Sequence, residues 1–274
     1  MSAAIVVIKV GGDVVDHAPR RHAFVRELGR LRETGKRCVV LHGGGPQATR
    51  LTQRLGLVPN VVGGRRITSP EVLEVMKMTL AGSVNVELAA ACRASGVPGL
   101  GISGVSAGLI RAGRRPPRVV SGCGPEPVDF GEVGDVLSVD SAAIRRLLDA
   151  DFVPVMSSLS ADDQGNVLNI NADIVACDVA IGLGADALVL FTGANGVLRE
   201  LGDETSRFPE LTVAEAQALI DDEVVQGGMI PKLEEAFRVL ATGVGRVVIL
   251  PAGVDGALTG ALQGKSSVGT TLVP

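Results

Sequence analysis

From its first residues onward, the chain repeats one pattern: an apolar run, a glycine-rich turn, and the start of a helix. Residues 4–10 form a mostly β-branched run that ends at Gly11 and Gly12. Residues 37–41 form a second run, which ends in His42-Gly43-Gly44-Gly45-Pro46. Runs of this kind are typical of parallel strands buried on both faces. Their alternation with helices predicts an α/β protein with a mainly parallel sheet between two helical layers.

Helix signals follow these runs. Phe24, Leu28 and Leu31 recur at helical spacing, and Ser69-Pro70 predicts a long helix that ends near residue 94. Residues 111–118 carry four arginines, and we expect an exposed hairpin or loop there. A lobe boundary is expected near Asn171.

Composition excludes several classes of function. Phenylalanine is the only aromatic residue type, with six copies, so the stacking platforms of single-stranded nucleic-acid binders are not expected. The net charge of −4 offers no general attraction to DNA or to an anionic membrane. Neither a membrane-spanning run nor a secretory leader is predicted. Four cysteines are scattered along the chain, which favours buried free thiols in a reducing cytoplasm: Cys38, Cys92, Cys123 and Cys177.

Three short nucleotide-binding signatures are interpreted as accidental. The Gly-x-Gly-x-x-Gly match at residues 99–104 overlaps a predicted strand, and no convincing helix follows it. Gly264-Lys265-Ser266 resembles the end of a phosphate-binding loop but lacks both its first glycine and its helix. The triplet Asp129-Phe130-Gly131 has no catalytic-loop His-Arg-Asp to accompany it.

The lysines are more informative, because the chain has only five against 21 arginines. Lys9 ends an apolar strand directly before Gly11-Gly12, at the sheet edge where ligands bind in open α/β folds. Lys232 follows Gly227-Gly228 at a predicted helix start, an arrangement that favours an anion site. The alternative for Lys9 is an ordinary strand-end lysine whose ammonium group reaches solvent. The alternative for Lys232 is an ordinary residue in the first turn of a helix.

A polar island, Asn169-Ile170-Asn171-Ala172-Asp173, supplies a carboxylate and two amides, although helix capping is an alternative role. His42 could be catalytic or a ligand, but a hydrogen bond that shapes its turn is the favoured interpretation. Two lysines, glycine-rich turns and one aspartate suit phosphoryl transfer to an acceptor that is already anionic. Such a reaction needs charge neutralisation and alignment, not a covalent nucleophile.

Five motifs in order carry a resemblance over nearly the whole chain: Lys9-Val-Gly-Gly12, His42-Gly-Gly-Gly-Pro46, Gly64-Arg-Arg-Ile-Thr68, Asn169-Ile-Asn-Ala-Asp173 and Gly227-Gly-Met-Ile-Pro-Lys232. The chain resembles the amino acid kinase superfamily, and within it the branch that phosphorylates N-acetyl-L-glutamate in arginine biosynthesis. The resemblance implies a three-layer αβα sandwich and a reaction with ATP and Mg²⁺ that yields N-acetyl-γ-glutamyl phosphate. It implies that residues 1–171 bind the acylamino acid and form a homodimer, and that residues 172–274 bind ATP.

The resemblance also implies roles for individual residues. Lys9 and Lys232 correspond to the stabilisers of the transition state, and Asp173 to the carboxylate that orients them. The substrate positions are Gly44, Gly45, Arg66 and Asn169, with Arg66 holding the α-carboxylate. The nucleotide positions are Gly11, Gly12, Thr192 and Gly228, and Mg²⁺ is expected to arrive with ATP rather than on protein ligands.

Some features depart from the family or leave alternatives open. Thr192-Gly-Ala-Asn-Gly196 replaces a more usual Thr-Asp-Val-x-Gly, which removes a polar contact from the nucleotide loop. One alternative is a kinase for aminoadipate or glutamate on a carrier protein, with the arginines of residues 111–118 as its docking rim. Another is a non-catalytic nucleotide-binding paralogue.

Arginine-inhibited members carry an extra N-terminal helix, and only three or four residues precede the first strand here, so a homodimer without arginine inhibition is expected.

Overall fold

The computed structural model describes residues 3–120 and 124–274, in which eight strands form one open sheet. From one edge to the other, these strands are β12 (Glu210–Thr212), β14 (Thr270–Val273), β13 (Val247–Pro251), β11 (Ala187–Thr192), β1 (Ile5–Val10), β2 (Arg37–His42), β8 (Val153–Ser157) and β5 (Gly99–Ser103). The six strands from β13 to β5 are mutually parallel, whereas β14 pairs antiparallel with β13 and parallel with β12. The predicted mainly parallel sheet is therefore confirmed.

Alternate residues of each central strand enter two separate apolar cores. In β1, Ile5 and Val7 face one core, while Val6 and Ile8 face the other. Because successive side chains of a strand point to opposite faces, this division requires a helical layer on each side of the sheet. The predicted three-layer αβα architecture is confirmed.

Ten α-helices fill these layers and the connections between them. They are α1 (Gly12–Asp16), α2 (Ala18–Glu33), α3 (Gly45–Arg54), α4 (Pro70–Met76), α5 (Asn85–Ala94), α6 (Ser141–Asp149), α7 (Ala172–Leu183), α8 (Val213–Asp221), α9 (Ile230–Leu240) and α10 (Ala257–Leu262), within the described residues. Helices α6, α7 and α9 pack on the face that Val7 enters, and α2, α5 and α10 pack on the opposite face.

The predicted long helix from Ser69 is interrupted. The Ser69 hydroxyl caps α4, as expected, but residues 77–84 form a π-helical segment before α5 begins. Gly82 has non-helical angles there, with φ −89° and ψ −107°. Glycine allows such a distortion because it has no Cβ, and π-segments of this kind occur mostly within longer helices.

A second, smaller sheet stands beside the main one. It contains β10 (Val167–Leu168), β9 (Ser160–Ala161), β6 (Ile110–Arg114) and β7 (Gly134–Val139), and a separate hairpin consists of β3 (Val61–Val62) and β4 (Arg65–Arg66).

The expectation of an exposed hairpin or loop at residues 111–118 holds for Arg111 and Arg114, which are about half exposed, but not for Arg115. The first part of this segment belongs to β6, which pairs antiparallel with β7. The side chain of Arg115 is only 4% exposed, and its Nε lies 2.9 Å from Asp135 Oδ1. A buried guanidinium needs a carboxylate partner, and that partner is too distant in sequence for local patterns to show.

The described cysteines are buried free thiols, as predicted, and burial raises the pKa of Cys38 to about 12 and that of Cys92 to about 11. Cys177 is buried as well, whereas Cys123 lies outside the described residues. Thiols with such pKa values are unreactive at neutral pH. Within residues 3–120 and 124–274, no helix is long and apolar enough to span a bilayer.

Candidate active site

The predicted site residues lie at the edge of the sheet where the parallel strands end. Lys9 is the fifth residue of β1 and extends from the face that Val7 shares, towards α7. Its neighbours in the sheet are Leu190 of β11 and Leu41 of β2. The C-terminal edge of a parallel sheet is where ligands bind in open α/β folds, so β1 presents its lysine at the expected place.

Lys9, Asp173 and Lys232 meet, although they come from separate parts of the chain. Lys9 Nζ lies 2.8 Å from Asp173 Oδ1, and Lys232 Nζ lies 3.9 Å from Asp173 Oδ2. The three side chains are 14%, 24% and 30% exposed, respectively. One carboxylate thus sits between two ammonium groups, all of which solvent can still reach.

Helix α7 fixes the position of this carboxylate. Asn171 is the N-cap of α7, and its side-chain oxygen accepts a hydrogen bond of 2.7 Å from the backbone N–H of Asp173. Asp173 therefore lies in the first turn, where the helix dipole stabilises a negative charge. Within this polar island, Asn171 therefore caps the helix, while Asp173 contacts the two lysines.

Two glycine turns lie against each other beside α7. Gly44 is the N-cap of α3, and a Cβ at this position would lie 2.5 Å from Leu80 Cδ2. A Cβ at Gly12 would lie 2.7 Å from Gln47 Oε1, while Gln47 Nε2 donates a 2.8 Å hydrogen bond to the carbonyl of Gly12. Close approach of this kind explains why glycine occupies both positions. Gly11 is the N-cap of α1, so the two turns present helix N-termini to the same region.

Arg66 reaches this region from β4. Its Nη2 donates a hydrogen bond of 2.6 Å to Thr49 Oγ1 and lies 3.3 Å from the carbonyl oxygen of Gly45. Its Nη1 is buried without a hydrogen-bond partner, and burial lowers the pKa of this guanidinium. A half-buried cation with an unused donor can bind an anion.

Asn169 lies just before α7 and contacts the segment that follows Arg66. Its side-chain amide donates a 3.2 Å hydrogen bond to Thr68 Oγ1. Its backbone is held by Glu132 and Gly134, through hydrogen bonds of 2.9 and 3.0 Å. The amide is thereby placed between the hairpin that carries Arg66 and the helix that carries Asp173.

Thr192 and Gly228 are the two remaining positions that the resemblance assigns to the nucleotide. Thr192 ends β11, beside β1 in the sheet, and its hydroxyl is engaged within its own turn, 3.0 Å from the carbonyl and 3.1 Å from the N–H of Ala194. Gly228 lies in a short 3₁₀ turn one helical turn before Lys232, and a Cβ there would meet nothing within 4 Å. Gly227 has φ +60°, a left-handed conformation that glycine adopts without strain.

His42 shapes its turn, as the sequence favoured. Burial lowers the pKa of the imidazole to about 4. The neutral ring can donate from Nδ1 to the carbonyl of Gly43, at 3.0 Å, and accept at Nε2 from the side-chain amide of Asn85, at 2.9 Å. It therefore holds the start of the glycine turn rather than a ligand.

Sequence reasoning missed three supporting residues: Gln47, Thr49 and Asn85. Gln47 and Thr49 lie on the first turns of α3, and Asn85 is the first residue of α5. A helical glutamine, threonine or asparagine carries no local signal of its partner. The one hint was the glycine turn before α3, which brings that helix N-terminus to the site.

Taken together, the site offers two ammonium groups with a carboxylate between them, one guanidinium, and several helix N-termini. This arrangement can neutralise and align anionic groups. Across the part of the chain that the structure describes, no group of three or more His, Cys, Asp or Glu side chains is suitably placed to bind a metal ion. Asp173, the carboxylate at the centre, is already paired with both lysines.

Comparison with known proteins gives a consistent family assignment. A model of the amino acid kinase family matches residues 4–251. The chain is 48% identical to the acetylglutamate kinase of Anaeromyxobacter dehalogenans over 268 residues, which cover 98% of both chains. It is 47% identical to that of Sorangium cellulosum, over 98% of this chain and 94% of the relative. A more distant acetylglutamate kinase, from Methanocella arvoryzae, is 36% identical over 99% of this chain and 91% of its own.

Solved structures support the same architecture. The N-acetylglutamate synthase of Neisseria gonorrhoeae, complexed with coenzyme A and N-acetyl-glutamate, superimposes with a TM-score of 0.82 and 27% identity. The match covers 99% of this chain but only 59% of that synthase. Carbamate kinase from Giardia superimposes with a TM-score of 0.71 over nearly all of both chains, and at 16% identity this likeness shows the fold alone.

Proposed function

The chain belongs to the amino acid kinase family, and we propose that it transfers the γ-phosphoryl group of ATP to the γ-carboxylate of N-acetyl-L-glutamate. The product is N-acetyl-γ-glutamyl phosphate, an intermediate of arginine biosynthesis. The observation that carries this proposal is the meeting of Lys9, Asp173 and Lys232 at one sheet edge. Full-length identity of 47–48% to acetylglutamate kinases supports the substrate.

In this proposal the two lysines act on the transferring phosphoryl group. Both reactants are anionic, so the barrier includes repulsion between the attacking carboxylate and the phosphate oxygens. Lys9 and Lys232 offset this repulsion from two sides, and Asp173 holds both ammonium groups in position. No covalent intermediate on the protein is needed, because the substrate carboxylate is itself the nucleophile.

The acylamino acid binds on the side of Arg66. The guanidinium would bind the α-carboxylate through its unused Nη1 donor, and Asn169 would contact the same substrate. The backbone N–H groups of Gly44 and Gly45 would face the reacting γ-carboxylate. Anion binding by N–H groups at the start of a helix is a common arrangement.

The nucleotide binds on the other side of the lysine pair, against Gly11, Gly12, Thr192 and Gly228. Mg²⁺ belongs to the substrate as the MgATP complex, and the phosphate oxygens hold it there. We propose that residues 1–171 form the acylamino-acid lobe and residues 172–274 the nucleotide lobe. The N-cap position of Asn171 makes this a natural boundary.

The carrier-protein alternative was based on the arginines of residues 111–118 as a docking rim, and the structure gives three of these arginines other partners. Arg111, Arg114 and Arg115 each pair with an aspartate, so the segment offers little free positive charge to an acidic carrier. A non-catalytic paralogue is disfavoured because it would have no need to keep two lysines around one aspartate.

We further propose a homodimer, paired through the N-terminal lobes, and a cytoplasmic location. Strand β5 ends the large sheet, so its outer edge is available to a second copy, and two-fold dimers are the most common closed assembly. The buried free thiols support a reducing compartment. Light scattering on the purified protein tests the dimer.

A coupled assay of ADP release tests the function. N-acetyl-L-glutamate, free L-glutamate and N-acetyl-L-aminoadipate are compared at equal concentrations, with MgATP saturating. The proposal predicts the highest kcat/KM for N-acetyl-L-glutamate. A preference for aminoadipate, or an absence of acceptor-dependent ADP release, would overturn it.

A further inference from the structure

We propose that Thr49 is a positioning residue for Arg66: its hydroxyl holds the guanidinium in the orientation that receives the substrate's α-carboxylate. This inference rests on the proposed function, because it assigns a reason to the position of a residue in that substrate site. Thr49 belongs to none of the five motifs that identified the site.

The hydrogen-bond geometry defines what the hydroxyl does. Thr49 Oγ1 lies 2.9 Å from the carbonyl oxygen of Gly45 and 2.6 Å from Arg66 Nη2. A hydroxyl has one proton and a guanidinium can only donate. Thr49 therefore donates to Gly45 and accepts from Arg66, and it joins the arginine to the glycine turn of the same substrate site.

Arg66 needs such an anchor because little else holds it. It lies in β4, a two-residue strand of a two-stranded hairpin. Among residues 3–120 and 124–274, no acidic side chain forms an ion pair with Arg66, and the only other hydrogen bond of its guanidinium goes to the Gly45 carbonyl at 3.3 Å. An arginine side chain with free rotamers would have to lose that freedom when the substrate binds.

The bond to Thr49 also fixes which end of the guanidinium faces the ligand. Nη2 is used by Thr49 and Gly45, while Nη1 is buried and has no partner. A fixed Nη2 leaves Nη1 as the donor available to a carboxylate. Removal of the hydroxyl would release the guanidinium without removing its charge, so binding should weaken while attraction of the anion remains.

Three variants test this role. Thr49→Val removes the hydroxyl at nearly constant side-chain volume, whereas Thr49→Ser keeps the hydroxyl and removes only the methyl group. Thr52→Val is the matched control, because Thr52 lies in the same helix and its hydroxyl makes the same bond to the carbonyl four residues earlier, at 2.7 Å from Ala48, without contacting the site. Thr49→Val should raise the KM for N-acetyl-L-glutamate about tenfold, the effect of one hydrogen bond to a charged group. kcat and the KM for ATP should change less than about twofold.

A double variant separates positioning from general structural effects. In an Arg66→Ala background, Thr49→Val should have no further effect on the acceptor KM, because no guanidinium remains to be held. Thr49→Ser and Thr52→Val should behave as the wild type. An additive effect of Thr49→Val in the Arg66→Ala background, or an unchanged KM in the single variant, would overturn the positioning role.

Crystal structures of Thr49→Val and Thr52→Val keep this inference separate from the proposed function. If the wild type releases no ADP with N-acetyl-L-glutamate, the proposed function fails, whereas the position of the guanidinium still decides the role of Thr49. Displacement or disorder of Arg66 in Thr49→Val alone supports that role. An unmoved Arg66 in Thr49→Val overturns it.

Discussion

Lys9 Nζ on β1 and Asp173 Oδ1 in the first turn of α7 meet at 2.8 Å, which fixes the first strand of the chain against that helix. The other oxygen of the same carboxylate lies 3.9 Å from Lys232. Two cations brought close together repel each other, and the shared carboxylate offsets that repulsion. In the proposed reaction, this carboxylate would hold both ammonium groups in position before either reactant binds.

Removal of either lysine should therefore reduce the rate of the chemical step. Lys9→Ala and Lys232→Ala should each lower kcat by roughly 10²–10³-fold, the range for loss of one preorganised donor. Lys265→Ala is the control: that lysine is exposed and lies in the accidental phosphate-loop signature, so kcat should be unchanged. Steady-state ADP release measures all three. A kcat for Lys9→Ala within a few-fold of the wild type would show that the lysine is not part of the chemistry.

Replacement of the shared carboxylate tests orientation instead of charge neutralisation. Asp173→Asn keeps the size and polarity of the side chain but no longer attracts the two lysines. We expect kcat to fall by about 10²-fold, as for other small misplacements of catalytic groups, with smaller changes in both KM values. Asp178→Asn is a matched control on the same helix, where the carboxylate pairs with Arg238 at 2.7 Å, away from the site. Equal kcat values for the two variants would contradict the orienting role.

Much of this arrangement could be predicted from sequence because its signals are local. Apolar runs that end in glycines, as at Gly11 and Gly12, predicted parallel strands and their C-terminal edge. The scarcity of lysine made Lys9 and Lys232 stand out, and one topological rule placed Lys9 at that edge. That Lys232 joins it there was implied only by the family resemblance. The structure adds the distances, with Lys9 and Lys232 at 2.8 and 3.9 Å from the two carboxylate oxygens of Asp173.

What the sequence did not predict depends on distant partners. Arg115 can be buried because its guanidinium pairs with Asp135 on β7. No local pattern distinguishes Arg115 from the exposed arginines beside it. Thr49 gains its role only when the hairpin of Arg66 folds over α3. The π-helical segment around Gly82 was likewise not predicted, since a glycine permits such a distortion without requiring it.

The buried imidazole of His42 should make stability depend on pH. Burial lowers its pKa to about 4 in the folded protein, against about 6.5 in an unfolded chain. Between these values the unfolded chain binds the extra proton, so acidification favours unfolding. This contribution is fully present above pH 6.5 and is lost as the pH falls to 4, a loss of about 3 kcal/mol in the free energy of unfolding.

Urea denaturation of the wild type and of His42→Asn at pH 7 and at pH 4 measures this effect. The variant should lose less stability than the wild type over that interval, whatever its stability at pH 7. His17→Asn, at an exposed histidine, is the control and should follow the wild type. Parallel pH dependence of His42→Asn and the wild type would mean that the imidazole is not the group that titrates.

Alanine substitutions at Gly44, Gly45 and Gly228 should distinguish a glycine that close packing requires from glycines that a ligand approaches. A Cβ at Gly44 would lie 2.5 Å from Leu80 Cδ2, so Gly44→Ala should lower the melting temperature. A Cβ at Gly45 would meet nothing within 4 Å, and the same holds at Gly228; neither glycine has a left-handed φ. Alanine at either position should therefore leave the melting temperature nearly unchanged.

If reactants approach the backbone there, Gly45→Ala should raise the KM for N-acetyl-L-glutamate and Gly228→Ala the KM for ATP, each by several-fold. Thermal melts and steady-state kinetics on the three variants check this, and wild-type KM values in both stable variants would remove these glycines from the binding surface.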